Sequence, residues 1–217
     1  AAANEVIKKN ELRVEKNLFT NGADGEKITV CECFDETTEG DFIAKVAQEK
    51  NKAGVPWSDM AVLYRANFQS RALEEAMLRH GLPYQVLGTK FYDRKEIKDI
   101  LSYIKASFDP SLIGNDMRRI VNVPVRGIGE KTFEKIATGV WETLPQKMAD
   151  KVSSFFTLLE KIKEQKDTLS PSELIKYIVV ESGLEKALLE GSDEDKERLE
   201  NIRELVTVAK RYDGEED

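Results

Sequence analysis

No Gly-Lys dipeptide occurs anywhere in the 217 residues, so the chain holds no Walker A loop, whose lysine must directly follow a glycine. Histidine is limited to His80, which leaves almost no material for a histidine-based triad or a multi-histidine metal cluster. Cysteine is limited to Cys31 and Cys33, too few to close a zinc site, and nothing about them requires an oxidising compartment. No apolar run approaches the ~18 residues of a bilayer span, so no membrane contact is expected. The opening Ala1-to-Lys9 stretch lacks a signal-peptide hydrophobic region and reads as the tail of a helix begun upstream, as in a piece of a longer protein. Together these absences argue against a self-contained enzyme. A carboxylate-based nuclease has no better acidic pair than Asp93 with Glu96, which reads as helix surface.

What is present suits folded structure: 41% of residues are hydrophobic, with only 6 Pro and 13 Gly. The net charge of −7 is unevenly spread. Residues 115–135 carry five cations against three anions, while residues 181–217 carry six against thirteen. A local phosphate contact is therefore allowed, and a broad electrostatic footprint is not.

Periodicity divides the chain near residue 92. Before it, strand-like runs at 27–34, 60–65 and 83–87 alternate with amphipathic helices at 40–53 and 69–80, the pattern of a parallel α/β layer. Cys31 and Cys33 share one face of the first run and are expected to be buried free thiols. After it the strand signals stop. Helices are expected at 94–108, 116–121, 130–137, 146–165, 171–181 and 193–211, the fifth opened by Ser170, Pro171 and Glu173.

Three clusters carry chemistry. Val125-Arg126-Gly127-Ile128-Gly129-Glu130-Lys131-Thr132 sets two glycines around one apolar residue at the start of a helix. In a helix-hairpin-helix-like turn the glycines bare the backbone amides, Ile128 anchors the corner, and the helix N-terminus suits a phosphate. Thr132 adds a hydroxyl, and Arg126 and Lys131 add charge. None of these side chains suits base-edge reading, so contact is expected to be sequence-independent. An ordinary helix-to-helix turn is the plainer alternative. In Tyr64-Arg65-Ala66-Asn67-Phe68-Gln69-Ser70-Arg71, Arg65 and Arg71 have the reach for phosphates, while Asn67 or Ser70 suits a helix cap. In Phe91-Tyr92-Asp93-Arg94-Lys95-Glu96-Ile97-Lys98, mixed charges around aromatics fit either a solvated helix face or a hinge whose ion pairs re-form.

In this order and at these separations, the clusters resemble the motifs of UvrD/PcrA/Rep-type superfamily 1 DNA helicases. Residues 60–88 are similar to a stretch of motor domain 2A, 91–101 to the passage into domain 2B, and 122–132 to the 2B segment that touches duplex DNA. The resemblance implies a partial RecA-like motor domain 2A over 1–92 and a helical 2B domain over 93–217. It implies that the whole protein is an ATP-driven, 3′-to-5′ DNA helicase of the bacterial cytoplasm and nucleoid. ATP and Mg²⁺ would be used by that whole protein, with no cofactor in this part. Its partners would be DNA at single-strand/duplex junctions, the remaining helicase domains, and a repair or replication protein. Arg65, Asn67 and Arg71 would face single-stranded DNA or support that surface. Arg126, Gly127, Ile128, Gly129, Lys131 and Thr132 would meet duplex phosphates, and Phe91, Tyr92, Arg94, Glu96 and Lys98 would form the hinge. The alternative is a protein-interaction or autoregulatory module, with the acidic end docking a partner or covering the basic turn.

Overall fold

The computed structural model describes residues 2–11, 19–22, 25–109, 113–140 and 143–214, which fall into two units, 1–33 and 34–217. In the first, α1 spans Ala2–Ile7, and the run from Lys27 to Cys33 is neither helix nor strand. The second opens on Asp35, whose carboxylate accepts the Thr38 amide at 2.7 Å while the Thr38 hydroxyl accepts the Asp35 amide at 3.0 Å. This reciprocal cap starts α2 (Glu36–Lys52) ahead of the apolar spacing that marks it in the sequence. Helix α3 (Ser70–Arg79) lies against it. Then follow α4 (Lys95–Phe108), α5 (Asn115–Ile120), α6 (Glu130–Ala137), α7 (Gln146–Gln165), α8 (Pro171–Glu181), α9 (Leu184–Leu189) and α10 (Asp193–Ala209). Glu173 reaches back to the Ser170 amide at 3.0 Å, the expected cap of α8. Helix α9 has no counterpart among the sequence expectations.

The parallel α/β layer expected for the first part is not present: no strand occurs among the described residues. Residues 27–33, 60–64 and 82–86 lie outside helices but make no ladder. An apolar run becomes a strand only when neighbours take its amides and carbonyls and cover its faces. Here Val30, Leu63 and Leu87 are each about nine-tenths exposed, so each run leaves apolar side chains without cover. The thiols differ from expectation for the same reason. Cys31 is exposed and Cys33 half-buried.

Two hydrophobic clusters organise residues 34–217. The larger is built around α4, whose Ile97, Ile100 and Tyr103 have no exposed surface, and it gathers Ile120, Phe155, Leu159, Ile162, Ile178 and Ile202 from the later helices and Ile128 from the turn before α6. The smaller joins α2 and α3 through Ala44, Ala76 and Met77, with Leu82 beyond them. There Gly40 allows the helices to touch, because a Cβ on it would stand 2.9 Å from both the Ala72 carbonyl oxygen and the Ala76 Cβ. Gly40→Val is expected to cost about 1–3 kcal/mol through overpacking, read as a lowered urea midpoint.

Carboxylate caps give this fold an acid sensitivity. Asp35, Asp195 and Asp213 are all held below the ordinary aspartate value of 3.8, chiefly by bonds from Thr38, Ser192 and Ser172 respectively. Depressed folded-state values mean the caps contribute fully above 3.8 and fade as the pH falls through the lowered values. Asp213 accepts both the Ser172 amide at 3.0 Å and its hydroxyl at 2.7 Å. An acid titration followed by circular dichroism is expected to show a shallower stability loss in Asp213→Ala than in the parent chain.

Candidate nucleic-acid interface

The turn between α5 and α6 is organised by Asn122. Its Oδ1 accepts the amides of Arg126 at 2.8 Å, Gly127 at 2.9 Å and Ile128 at 3.3 Å. Gly127 adopts φ +78, a left-handed conformation that side chains disfavour, and Ile128 is sealed into the core. Arg126 turns inward. Its guanidinium donates to the carbonyls of Val123 at 2.8 Å, Ser182 at 3.0 Å and Pro124 at 3.2 Å, and to the Tyr103 hydroxyl at 2.8 Å. Tyr103 in turn donates to the Val123 carbonyl, and burial pushes its phenol up to about 12. Lys151 closes the corner by donating to the Arg126 carbonyl at 2.9 Å.

Three of the amides that the sequence offers to a ligand are thus held internally. The open ones lie further on. Gly129 is the N-cap of α6 with no side chain to cap the helix, and its carbonyl takes the Thr132 and Phe133 amides. The amides of Gly129, Glu130 and Lys131 have no acceptor among the described residues. Gly129 has an ordinary extended backbone, and a Cβ there would meet nothing within 4 Å. Lys131 is exposed and Thr132 half-buried beside this end. Glu130 would repel an anion, but Arg118 pairs with it at 2.7 Å.

The other two clusters merge into one polar network. Arg94, only 8% exposed, donates to Asn201 Oδ1 at 2.7 Å, to the Asn67 carbonyl at 2.8 Å and to Ser70 Oγ at 2.9 Å. Asn201 donates onward to Glu96 at 2.6 Å. Arg71 has no exposed surface and faces three carboxylates: Glu204 at 2.5 Å, Glu75 at 2.8 Å and Glu36 at 3.5 Å. The Glu75 contact is an ion pair without hydrogen-bond alignment. Burial pulls the Arg71 guanidinium downward, yet Glu204 and Glu75 outweigh it and the net shift is upward.

Arg65 and Asn67 stay on the surface, where the Asn67 amide donates to Glu197 at 3.2 Å. Arg65 lines a cleft of about 350 Å³ with Glu36, Glu39, Tyr64 and Phe68. Phe91 is buried, Tyr92 half exposed, and Lys98 pairs with Asp93 at 2.7 Å. Asn122, Asn201 and Glu204 are partners that the sequence reading missed. Only Asn122 carries a local signal, an Asn two residues before a proline turn, where side-chain-to-backbone bonds are common.

Two helices joined by a Gly-Ile-Gly corner, the second entering uncapped, make a helical module. The model of the UvrD-like helicase C-terminal domain matches residues 1–217, and the chain belongs to that family. It is 37% identical over 232 residues to an ATP-dependent DNA helicase PcrA of Staphylococcus epidermidis, a match covering 98% of this chain and 31% of the relative. A Staphylococcus aureus protein of the same name is 35% identical over the same shares. The chain therefore spans about a third of the length of these relatives. Among the described residues no helix is long and apolar enough to cross a membrane.

Proposed function

We propose that the chain is the DNA-engaging, non-catalytic portion of an ATP-dependent, 3′-to-5′ DNA helicase acting in the bacterial cytoplasm and nucleoid. In this reading residues 1–92 belong to motor domain 2A and residues 93–217 to domain 2B. The observation that carries it is the uncapped N-terminus of α6, where the Gly129, Glu130 and Lys131 amides have no acceptor among the described residues. Such an end offers N–H groups and a positive dipole to a phosphate of any sequence. Lys131 and Thr132 add a cation and a hydroxyl, while Arg126, Gly127 and Ile128 hold the corner in shape. Arg65 and Asn67 would meet the single strand, supported by buried Arg71, and the Arg94–Asn201–Glu96 network would set the 2A–2B angle with Phe91, Tyr92 and Lys98 beside it. The rest of the same protein and a repair or replication factor are the proposed protein partners.

ATP and Mg²⁺ belong to the whole protein in this reading. The chain has no Gly-Lys phosphate loop.

Fluorescence anisotropy with a duplex/single-strand junction at low salt tests the phosphate site. Gly129→Glu places a carboxylate before the open amides, in space that is free. It is expected to weaken binding about tenfold, the scale of one charge at a helix end, without moving the melting temperature. Unchanged affinity would remove the DNA role of the turn.

One observation favours the autoregulatory reading as well: α10 presents Glu197 to Asn67 and Glu204 to Arg71. Carboxylates there would compete with a DNA strand. Glu197→Gln is expected to raise single-strand affinity severalfold, and no gain would discard the competition.

A further inference from the structure

Lys151 reaches the Gly-Ile-Gly corner from a different helix. It projects from the second turn of α7, and its Nζ donates to the Arg126 carbonyl at 2.9 Å. The ammonium lies so close over Gly127 that a Cβ there would stand 3.0 Å from it. The side chain is exposed, and no carboxylate pairs with it among the described residues; the adjacent Asp150 takes the Gln146 side-chain amide at 2.8 Å instead. An ammonium carries three donors. The Arg126 carbonyl takes one, so the others are left for an acceptor outside the fold.

Lys147 stands one turn earlier on the same face of α7, exposed and likewise without a carboxylate partner among the described residues. Like charges at that spacing repel, and an anion bound between them relieves the repulsion. We propose that Lys151 and Lys147 form a second phosphate-contacting edge, by which α7 takes the duplex backbone beside the α6 end. The assignment rests on the reading that this corner meets duplex DNA, but not on which of its amides do so. Gly127 and Gly129 are two residues apart, at most ~7 Å along the chain. Phosphates of one strand follow each other at ~3.4 Å of axial rise. A backbone seated on the Gly129 amide therefore brings a neighbouring phosphate within reach of Gly127, where the Lys151 ammonium sits. Lysine acts there as a point charge with rotatable donors, so the edge adds affinity without reading bases.

A fluorescent blunt duplex, which offers no single strand, is titrated with the full chain by anisotropy between about 50 and 200 mM salt. Lys151→Met keeps the aliphatic stem and removes the charge. It is expected to reduce the slope of log affinity against log salt by about 0.9, and the Lys147→Met, Lys151→Met double variant by about 1.8, one and two phosphate contacts. Lys151→Arg keeps the charge and is expected to restore the parent slope. Lys186→Met, at an exposed lysine of α9, controls for net charge and is expected to leave the slope as it is. Thermal melts check that each variant is folded at the titration temperature. A parent slope in Lys151→Met, or an equal fall in Lys186→Met, would overturn the edge. If Gly129→Glu binds as the parent does while Lys151→Met loses slope, the phosphate reading of the α6 end falls and the α7 edge stands.

Discussion

Arg71→Ala is expected to lower the unfolding free energy by about 3–5 kcal/mol, the scale seen when one side of a buried ion pair is removed. The melting temperature should fall by roughly 10 °C. The guanidinium has no exposed surface and is shared by Glu36 of α2, Glu75 of α3 and Glu204 of α10. Removing it leaves three carboxylates facing a void and repelling one another, so the loss exceeds that of an exposed pair, which is about 0–1 kcal/mol. Arg71→Lys should recover little, since one ammonium lacks the planar fork that meets several carboxylates at once. Glu204→Gln should cost less than Arg71→Ala, because Glu75 and Glu36 still neutralise the cation. A thermal melt in which Arg71→Ala matches the parent chain would mean that the cage is not formed.

Arg126→Ala should be the second-largest effect, about 2–4 kcal/mol of stability, since charge-assisted bonds contribute roughly 1.5–3 kcal/mol each and are not additive. Its guanidinium joins the turn carbonyls, Tyr103 of α4 and the Ser182 carbonyl beyond α8, and the Phe155 ring lies 5.5 Å away. If its role is to brace the corner, the salt dependence of DNA affinity, measured well below the melting transition, keeps its slope in Arg126→Ala. Lys131→Ala should leave stability nearly unchanged and reduce that slope by about 0.9, the signature of one lost phosphate contact. The reverse pattern would move the phosphate contact from the α6 end to Arg126.

Much of the fold is legible in residue order alone. The apolar spacing of Ile97, Ile100, Leu101 and Ile104 marks α4, and Ser170-Pro171 with Glu173 marks the start of α8. Gly127, Ile128 and Gly129 mark a tight corner whose middle residue is buried. These are local properties, written within one or two helical turns. The run 60–65 shows where local reading fails. Its composition suits a buried strand, but strand formation depends on a neighbouring chain segment, which the run itself does not encode.

By itself, the sequence determined where the longer helices after residue 92 lie, that no Walker A loop is present, and which family the motif order resembles. Only the tertiary structure decided which polar groups remain open to a ligand. Arg71 and Arg126 read equally well as phosphate contacts, yet one is enclosed by Glu204, 133 residues away, and the other by the carbonyl of Ser182, 56 residues away. The open amides moved along the turn to Gly129, Glu130 and Lys131 because Asn122 takes those before them. Periodicity follows from the geometry of the local backbone, whereas a hydrogen-bond partner is chosen by which surfaces pack together and exclude water.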